Sequence, residues 1–308
     1  RSDMVVTTGC AKLLADRGYK VSVLTGPVCK QMLAGADFLE QVYLYQPRMP
    51  LDALRAVGFD AVVDFDDVKT YERFKLLSDL RPGCVIGFNK QEYKLYDHSI
   101  PFFDSARHIS ARYKEVARLF GIEHDRYHYH LPGDLHERER VKLLLNQEKA
   151  RALCIAINPF TASTDKDFCH HQVATLIDRL HTLPYAVSVV MVGHSEKIRQ
   201  LNLDKALYLP DSNINSAVEI VRQCDLVITA DTAIVHIARA FDKPMVAVYN
   251  KRKLKDTGLP GYTIWAPGYD KARQIVCEET HVADMTIDAV WPVIKAQADD
   301  LVASREQA

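Results

Sequence analysis

The residues with the clearest chemical potential follow an apolar segment at 226–229. Asp231 and Thr232 come directly after it, and an amphipathic stretch that contains His236 follows them. Asp and Thr are preferred helix N-cap residues, and the N–H groups of a first helical turn have no partner within the helix. These donors and the helix dipole favour negative charge, so the segment predicts an anion site for a group such as phosphate. The alternative is an ordinary N-cap followed by a core histidine.

A second loop with phosphate-binding potential follows the apolar segment 152–157. It contains Thr161, Lys166 and Phe168. A lysine supplies a mobile point charge that suits a diphosphate leaving group. A loop lysine by itself is ordinarily solvated. Because both loops follow strand-like segments, and parallel α/β sheets bind ligands at the carboxyl ends of their strands, we expect the two loops to meet.

Other charged residues follow apolar segments in the same way. Glu196 comes after segment 186–192 and opens a helix-like stretch, where it either approaches a ligand or favours the helix dipole. The basic residues in such positions are Lys251, Arg252 and Lys253 late in the chain and Lys90 and Lys94 early in it. We take these five as candidates for contact with an anionic donor or acceptor, and solvated loops are the alternative.

Short apolar, β-prone segments alternate with amphipathic stretches along the whole chain, which is typical of parallel sheets covered by helices. The predicted strands are 20–24, 41–45, 61–65, 84–88, 152–157, 186–192, 206–209, 226–229 and 245–249. The predicted helices are 6–17, 51–57, 71–80, 105–120, 169–181, 195–201, 216–223, 232–241 and 284–302. The alternation occurs twice. It therefore predicts an α/β protein with two Rossmann-like, doubly wound domains that face each other across a cleft.

The length agrees with two domains, since the 308 residues are about twice the ~150 of a typical domain. We assign 1–125 to a first half and 151–283 to a second half. Between them, 126–150 is polar and rich in histidine, and we interpret it as the interdomain connection. Residues 284–308 are expected to form a C-terminal helix that packs back on the first half.

Composition excludes several classes of protein. Lys and Arg number 39 and Asp and Glu number 40, so the net charge of −1 gives no general attraction to nucleic acid or to an anionic membrane. The apolar runs are far shorter than the ~20 residues of a membrane span. The seven cysteines form no CxxC pair, which indicates neither a zinc ribbon nor a disulfide framework and favours a reducing compartment.

The segment after position 230 resembles the D-[ST]-G-x-x-H-[LI]-[AT]-A-x-x-x-x-P motif of the family 9 glycosyltransferases, the heptosyltransferases of lipopolysaccharide core assembly. The matching residues are Asp231, Thr232, His236, Ile237, Ala238, Ala240 and Pro244. Ala233 stands where the family has a glycine that lets the backbone approach the donor diphosphate. The loop with Lys166 resembles the family's hydroxyl and K-x-W motif, with Phe168 in the tryptophan position.

The resemblance implies the GT-B fold and a role for each matched residue. The implied donor-binding residues are Thr161, Lys166, Glu196, Asp231, Thr232, Ala233 and His236, and Lys166 also acts in catalysis. Residues 2–14 resemble the family's G-D-x-x-x-T-x-x-x-x-x-L, which makes Asp3 the general base for the acceptor hydroxyl. Family members carry a strand ahead of this aspartate, and we expect that strand to be missing from the sequence as it begins here.

The implied activity is transfer of a heptose, with inversion, from ADP-heptose to an anionic lipopolysaccharide inner-core acceptor. The ADP-sugar is a substrate, and neither a metal nor another cofactor is implied. A cytoplasmic enzyme with peripheral contact at the inner membrane, and with no nucleic-acid partner, is expected. The Asp64-Phe65-Asp66 triplet has the form of a D-x-D metal motif, which a second Rossmann-like half disfavours.

Three alternatives remain at this point. A two-domain solute-binding protein and a glycosyltransferase of the same fold that uses another nucleotide sugar both fit the two halves. A nicotinamide-dependent dehydrogenase shares the fold class, but no GxGxxG follows a predicted strand.

Overall fold

The computed structural model describes residues 1–102, 107–146, 152–255 and 257–308. The helices are α1 (Ser2–Asp16), α2 (Pro27–Leu33), α3 (Asp52–Val57), α4 (Tyr71–Leu80), α5 (Ser110–Leu119), α6 (Leu135–Leu145), α7 (His170–Leu180), α8 (Ser195–Gln200), α9 (Ile214–Gln223), α10 (Ala233–Ala240), α11 (Gly261–Ile264) and α12 (Ile287–Gln307). The strands are β1 (Ser22–Thr25), β2 (Gln41–Leu44), β3 (Val62–Val63), β4 (Val85–Phe88), β5 (His98–Ile100), β6 (Leu153–Asn158), β7 (Val187–Met191), β8 (Leu226–Ala230), β9 (Met245–Tyr249) and β10 (Ala272–Val276). The predicted start of helix 105–120, the end of the connection at 147–150 and position 151 lie outside the described residues.

The second half is built on one parallel sheet in the order β10-β9-β8-β6-β7. All residues of β8 and β9 are buried, as expected for central strands covered on both faces. Asn158 at the end of β6 pairs in register with Thr229, and Thr229 pairs with Ala247. The carboxyl ends of β6, β8 and β9 therefore lie at one edge, and the loops with Lys166 and Asp231 emerge there.

The first half carries two parallel sheets among the described residues, β1-β2 and β3-β4-β5. β4 is buried along its length, and a small cluster of Leu77, Val85 and Tyr96 lies between α4 and this sheet. Gly87 gives the Tyr96 ring room, since a Cβ at Gly87 would lie 2.4 Å from it. The three-stranded sheet is thus compact but short.

Most predicted elements are confirmed, and a few are corrected. The predicted strand 206–209 is wrong, because the described residues there form only an isolated bridge between Val190 and Leu207. Strands β5 and β10 and helices α2, α6 and α11 were not predicted. Helix α6 lies within the predicted connection, and Asp134 caps it by accepting from the Glu137 N–H at 2.9 Å.

The C-terminal helix exists, but its predicted packing on the first half is wrong. α12 lies against the second half, where Val290 and Ile294 are buried in the cluster that contains β6 and α7. The Gln297 amide donates to the carbonyl oxygens of Met245 at 3.0 Å and Lys271 at 2.9 Å. Among the described residues, no helix combines the length and the apolar composition needed to cross a bilayer.

The two halves share one buried apolar cluster. Val5 and Val6 of α1 belong to it together with Val235 and Ile237 of α10. α1 therefore packs on the helix that follows Asp231, and we call this packing, with residues 127–130, the interdomain contact.

Tyr127 links α1 to the second half at the interdomain contact. The Tyr127 hydroxyl donates to the carbonyl of Val6 at 2.6 Å and accepts from the N–H of Cys10 at 2.5 Å. Gly9 allows this approach, because a Cβ there would lie 2.4 Å from the Tyr127 ring. From the other half, Arg239 donates to the Tyr127 carbonyl at 2.8 Å. The start of α1 is thus held beside the second half.

Candidate functional site

A cavity of about 230 Å³ opens at the carboxyl edge of the five-stranded sheet. Its wall includes Ser163, Lys166, Asp231, Asn250, Arg252, Lys253, Lys255 and Tyr262. Tyr262 belongs to α11, and the other seven come from the loops after β6, β8 and β9, so three loops meet at one place. Four of the eight side chains are cationic and one is acidic, which makes the cavity favourable for an anion.

An ion pair between two of the predicted loops lies in the cavity wall. Lys166 Nζ donates to Oδ2 of Asp231 at 2.9 Å. Burial raises the pKa of Asp231, and the Lys166 ammonium opposes that shift. The two side chains keep 24% and 14% of their exposure. An anion in the cavity would therefore meet an ammonium that has one carboxylate partner and further N–H donors to offer.

Helix α10 begins beside this ion pair. Thr232 is its N-cap, as predicted, and its Oγ1 accepts from the Ile234 N–H at 3.1 Å and from Asn158 Nδ2 at 2.7 Å. The Val235 N–H donates to the Thr232 carbonyl at 3.2 Å. The cap thus uses part of the donor set that we predicted for an anion. Ala233, the first helical residue, lies at the positive end of the helix.

Thr161 shapes its own loop. Its hydroxyl donates to the Ser163 carbonyl at 2.6 Å and accepts from the Ser163 N–H at 2.9 Å. Its N–H donates to Asp167 Oδ1 at 2.6 Å. Phe168 is buried, in agreement with its predicted packing role. These contacts hold the loop from inside, and a direct contact of Thr161 with a ligand stays a prediction.

The basic loop after β9 divides between the cavity and the solvent. Lys251 is exposed and pairs with Glu278 at 2.6 Å. Arg252 Nη1 donates to Ser163 Oγ at 3.1 Å and to Asp165 Oδ1 at 3.0 Å, across the cavity wall. Arg252 and Lys253 line the cavity, so two of the three basic residues predicted here lie where an anion would bind.

Two other predicted contact residues are exposed. Glu196 lies in the first turn of α8 and pairs with Arg199 one turn later, which agrees with the helix-dipole alternative. Lys94 is exposed in the turn between β4 and β5. Their contacts with donor or acceptor stay predictions.

His236 lies in the interdomain contact. Its ring packs edge-on against Tyr129 and Trp265, at centroid distances of 6.2 and 5.6 Å, and is 1% exposed. Burial, together with the neighbouring His108 ring and the Arg239 guanidinium, lowers the pKa of His236 to about 3. Its Nδ1 has no hydrogen-bond partner within the described part of the chain. The buried ring is neutral and has one N–H to donate, and its donation to a bound anion stays a prediction.

Lys90 also differs from expectation. It is 0% exposed, donates to the Asp66 carbonyl at 3.0 Å and lies 3.7 Å from Asp64 Oδ2. Arg73 bridges the two aspartates of the D-x-D triplet, at 2.5 Å to Asp64 and 2.8 Å to Asp66. The structure thus places Lys90 in the interior of the first half, where it cannot reach an acceptor.

Across the described ranges, no three His, Cys, Asp or Glu side chains form a group that could hold a metal.

Asp3 lies exposed in the first turn of α1, at the edge of the interdomain contact. Tyr113 donates to its carbonyl at 3.4 Å, and the Asp3 charge adds to the burial that raises the pKa of Tyr113. Val5 and Val6, which follow Asp3 closely in α1, are buried in the cluster that also contains Val235 and Ile237 of α10. The first turn of α1 is therefore near α10, on the side of the second half.

The prediction gave no role at this site to Asn158, Asp165 or Asn250. Asn158 ends β6 and Asn250 follows β9 directly, so the rule that ligand loops follow strands could have identified both. Asp165 adjoins Lys166 but gave no signal by type or spacing. Its role depends on Arg252, which is distant in sequence.

Comparison with known proteins agrees with this architecture. Residues 52–288, more than half of the chain, match the model of "Glycosyltransferase family 9 (heptosyltransferase)". The Escherichia coli K12 protein named "Putative lipopolysaccharide heptosyltransferase 4" is 24% identical over 310 residues, which cover 95% of this chain and 83% of that protein.

Solved structures show the same fold. The E. coli ADP-heptose LPS heptosyltransferase II superposes with a TM-score of 0.79 at 17% identity, covering 100% of this chain and 97% of that one. The E. coli heptosyltransferase WaaC, solved with ADP, gives a TM-score of 0.70 at 17% identity, with 97% and 95% covered. The expected GT-B fold is thus confirmed.

The family match also decides among the alternatives. It sets aside the solute-binding protein and the dehydrogenase, because it extends from residue 52 in the first half through the second half and includes the loops that meet at the cavity. The chain belongs to glycosyltransferase family 9, the heptosyltransferase family, and is a glycosyltransferase.

Proposed function

We propose that this enzyme transfers a heptose from ADP-heptose, with inversion, to an anionic lipopolysaccharide inner-core acceptor. The cavity at the edge of the five-stranded sheet binds the donor's diphosphate, and the first half binds the acceptor. The observation that carries the proposal is the Lys166–Asp231 pair, which lies in a cavity that also contains Arg252, Lys253 and Lys255. An excess of cations at the carboxyl ends of parallel strands suits a diphosphate.

The chemical step assigns one role to each half. Asp3 takes the proton of the acceptor hydroxyl as that oxygen bonds to the anomeric carbon, from the face opposite the ADP. The bond from the anomeric carbon to the diphosphate oxygen breaks, and its electron pair leaves with ADP. Lys166 stabilises the charge that develops on the diphosphate. In this proposal the cationic side chains do what a metal does elsewhere, so no metal is needed.

Lys166→Ala tests the donor site. Loss of a charge-assisted hydrogen bond, worth about 1.5–3 kcal/mol, weakens ADP binding roughly ten- to hundredfold. Isothermal titration calorimetry with ADP measures this. Lys251→Ala is the matched control, because Lys251 lies in the basic loop but pairs with the exposed Glu278. Equal ADP affinity of wild type and Lys166→Ala contradicts the phosphate role.

Asp3→Asn tests the base. We expect transfer to a truncated lipopolysaccharide to be abolished while ADP affinity stays unchanged, because a carboxamide cannot accept the proton. Retained turnover removes Asp3 as the base.

A panel of nucleotide sugars tests the identity of the donor, and addition of EDTA tests whether the transfer needs a metal ion. ADP-heptose should give the highest rate, and preference for another nucleotide sugar would favour the remaining alternative. The rate should be unchanged by EDTA. Because the acceptor is a lipid, we also expect the enzyme to sediment with vesicles that contain truncated lipopolysaccharide. In the cell, we expect it to contact the cytoplasmic face of the inner membrane.

A further inference from the structure

Two loops of the cavity are tied together by one aspartate. Asp165, in the 3-10 turn Thr164–Lys166, accepts from Arg252 Nη1 at 3.0 Å on Oδ1 and from Asn250 Nδ2 at 3.1 Å on Oδ2. Its side chain is 24% exposed and that of Arg252 is 35% exposed. The residue that precedes Lys166 therefore contacts the loop after β9.

Asn250 anchors this tie in the interior. It is 4% exposed, and its amide also donates at 3.2 Å to the Asp165 carbonyl and at 3.2 Å to the Thr280 carbonyl. Its Oδ1 accepts from the Arg252 N–H at 3.1 Å. One buried amide thus fixes both the turn that carries Lys166 and the backbone of Arg252.

The tie leaves much of the Arg252 guanidinium available. Both hydrogen bonds described for this side chain use Nη1. A guanidinium has five N–H donors in a planar fork, which suits two oxygens of a phosphate. Arg252 can therefore keep its hydrogen bond to Asp165 through Nη1 and bind an anion in the cavity through its other N–H groups.

We propose that Asp165, supported by Asn250, is a positioning residue that orients Arg252 as a second diphosphate-binding cation opposite Lys166. This inference rests on the proposed function, since it requires a nucleoside diphosphate in the cavity. Beyond that function, the inference gives Arg252 a defined orientation toward the diphosphate. It also explains why an acidic residue, Asp165, is needed at a site that binds an anion.

The sign of one substitution separates positioning from simple electrostatics. Removing an acidic charge beside an anion site favours the anion through space. If Asp165 acts only through its charge, Asp165→Asn tightens ADP binding. If Asp165 orients Arg252, the same substitution weakens ADP binding, because the guanidinium loses its charged partner and its fixed direction.

The experiment measures ADP affinity by calorimetry for the wild type, Asp165→Asn, Arg252→Lys and the double variant. We expect Asp165→Asn to weaken binding about tenfold, which is ~1.4 kcal/mol. In the Arg252→Lys background, Asp165→Asn should change affinity less than twofold, because the fork that it orients is absent. Glu278→Gln is the matched control: it removes the acidic partner of the adjacent Lys251 and should leave affinity unchanged.

Each outcome decides the inference. Thermal unfolding of Asp165→Asn within about 2 °C of the wild type excludes a general loss of structure, and a larger shift without an affinity loss overturns the inference. Unchanged or tighter ADP binding by Asp165→Asn, or the same tenfold loss in the Arg252→Lys background, also overturns it while leaving the proposed function intact. A wild-type protein that does not bind ADP, in an assay in which Lys166→Ala behaves identically, overturns both.

Discussion

Two lysine–aspartate pairs follow strands of this protein, one in each half. Lys166 meets Asp231 at 2.9 Å, and the side chains are 24% and 14% exposed. Lys90 lies 3.7 Å from Asp64, and these side chains are 0% and 3% exposed. In both pairs burial raises the pKa of the aspartate. Residue types and topological position are alike, but the surroundings differ.

The surroundings decide what each pair does. Asp64 also accepts from the Tyr96 hydroxyl at 2.6 Å and from Arg73 at 2.5 Å, so protein groups satisfy it on several sides. The Lys166–Asp231 pair instead faces a cavity with further cations. Breaking a pair that its own protein encloses destabilises the fold, because it leaves a buried charge without compensation, whereas a pair at a cationic cavity is available to a ligand.

The largest expected effect comes from opening the enclosed pair. Lys90→Met keeps the volume but removes the charge, and it should lower the free energy of unfolding by about 3 kcal/mol, since breaking a buried pair leaves a buried charge poorly compensated. Chemical denaturation measures this. The control is Lys94→Met, which removes an exposed lysine that follows the same strand and should cost less than about 0.5 kcal/mol. Equal stability of the two variants would contradict the structural role of Lys90.

A smaller effect is expected on the pH dependence of stability, and it comes from two buried histidines and not from either lysine–aspartate pair. Burial lowers the pKa of His236 to about 3 and of His108 to about 4, below the ~6.5 of an unfolded histidine. The unfolded chain therefore binds protons that the folded chain does not. Stability is fully present above pH 6.5 and falls by about 2 kcal/mol per histidine between pH 7 and pH 5.

Substitution of His236 tests this dependence. His236→Phe keeps a ring between Tyr129 and Trp265 but cannot titrate, so it should remove about half of the acid sensitivity in denaturation curves recorded from pH 7 to pH 5. His124→Gln, at an exposed position, should leave it unchanged. Undiminished acid sensitivity in His236→Phe would show that this histidine is not the titrating group.

The smallest effect on stability is expected when the partly exposed Lys166–Asp231 pair is broken. Lys166→Ala should change the free energy of unfolding by about 1 kcal/mol or less, because its pair is partly solvated, although the same variant loses ADP affinity. Denaturation of Lys166→Ala beside Lys90→Met checks the contrast. A loss as large as that of Lys90→Met would mean that both pairs are structural.

Much of the fold was predictable from local patterns. The predicted bounds of α4 and β9 agree with the structure, because Thr70 caps α4 and β9 is an uninterrupted apolar, β-prone run. Helix α6 was missed although Asp134 and Glu137 have the spacing of a capping box, since the charged run obscured it.

Other elements could not be predicted locally. Segment 206–209 has strand-like residues, but only Leu207 finds a bridge partner among the described residues. The edge strand β10 is half exposed and contains Arg273 and Gln274, so its sequence has little strand character. Strand formation depends on a partner, and local sequence does not report whether a partner is present.

The amino-acid sequence by itself determined the family motifs, the loops that follow the strands and hence the meeting of Lys166 with Asp231. Only the tertiary structure decided that Lys90 is enclosed, that His236 is neutral and buried, and that Asp165 holds Arg252. The physical reason is that the charge state and availability of a side chain depend on its burial and on partners distant in sequence. Asp64 acts on Lys90 and Asp165 acts on Arg252 only after the strands have brought their loops together.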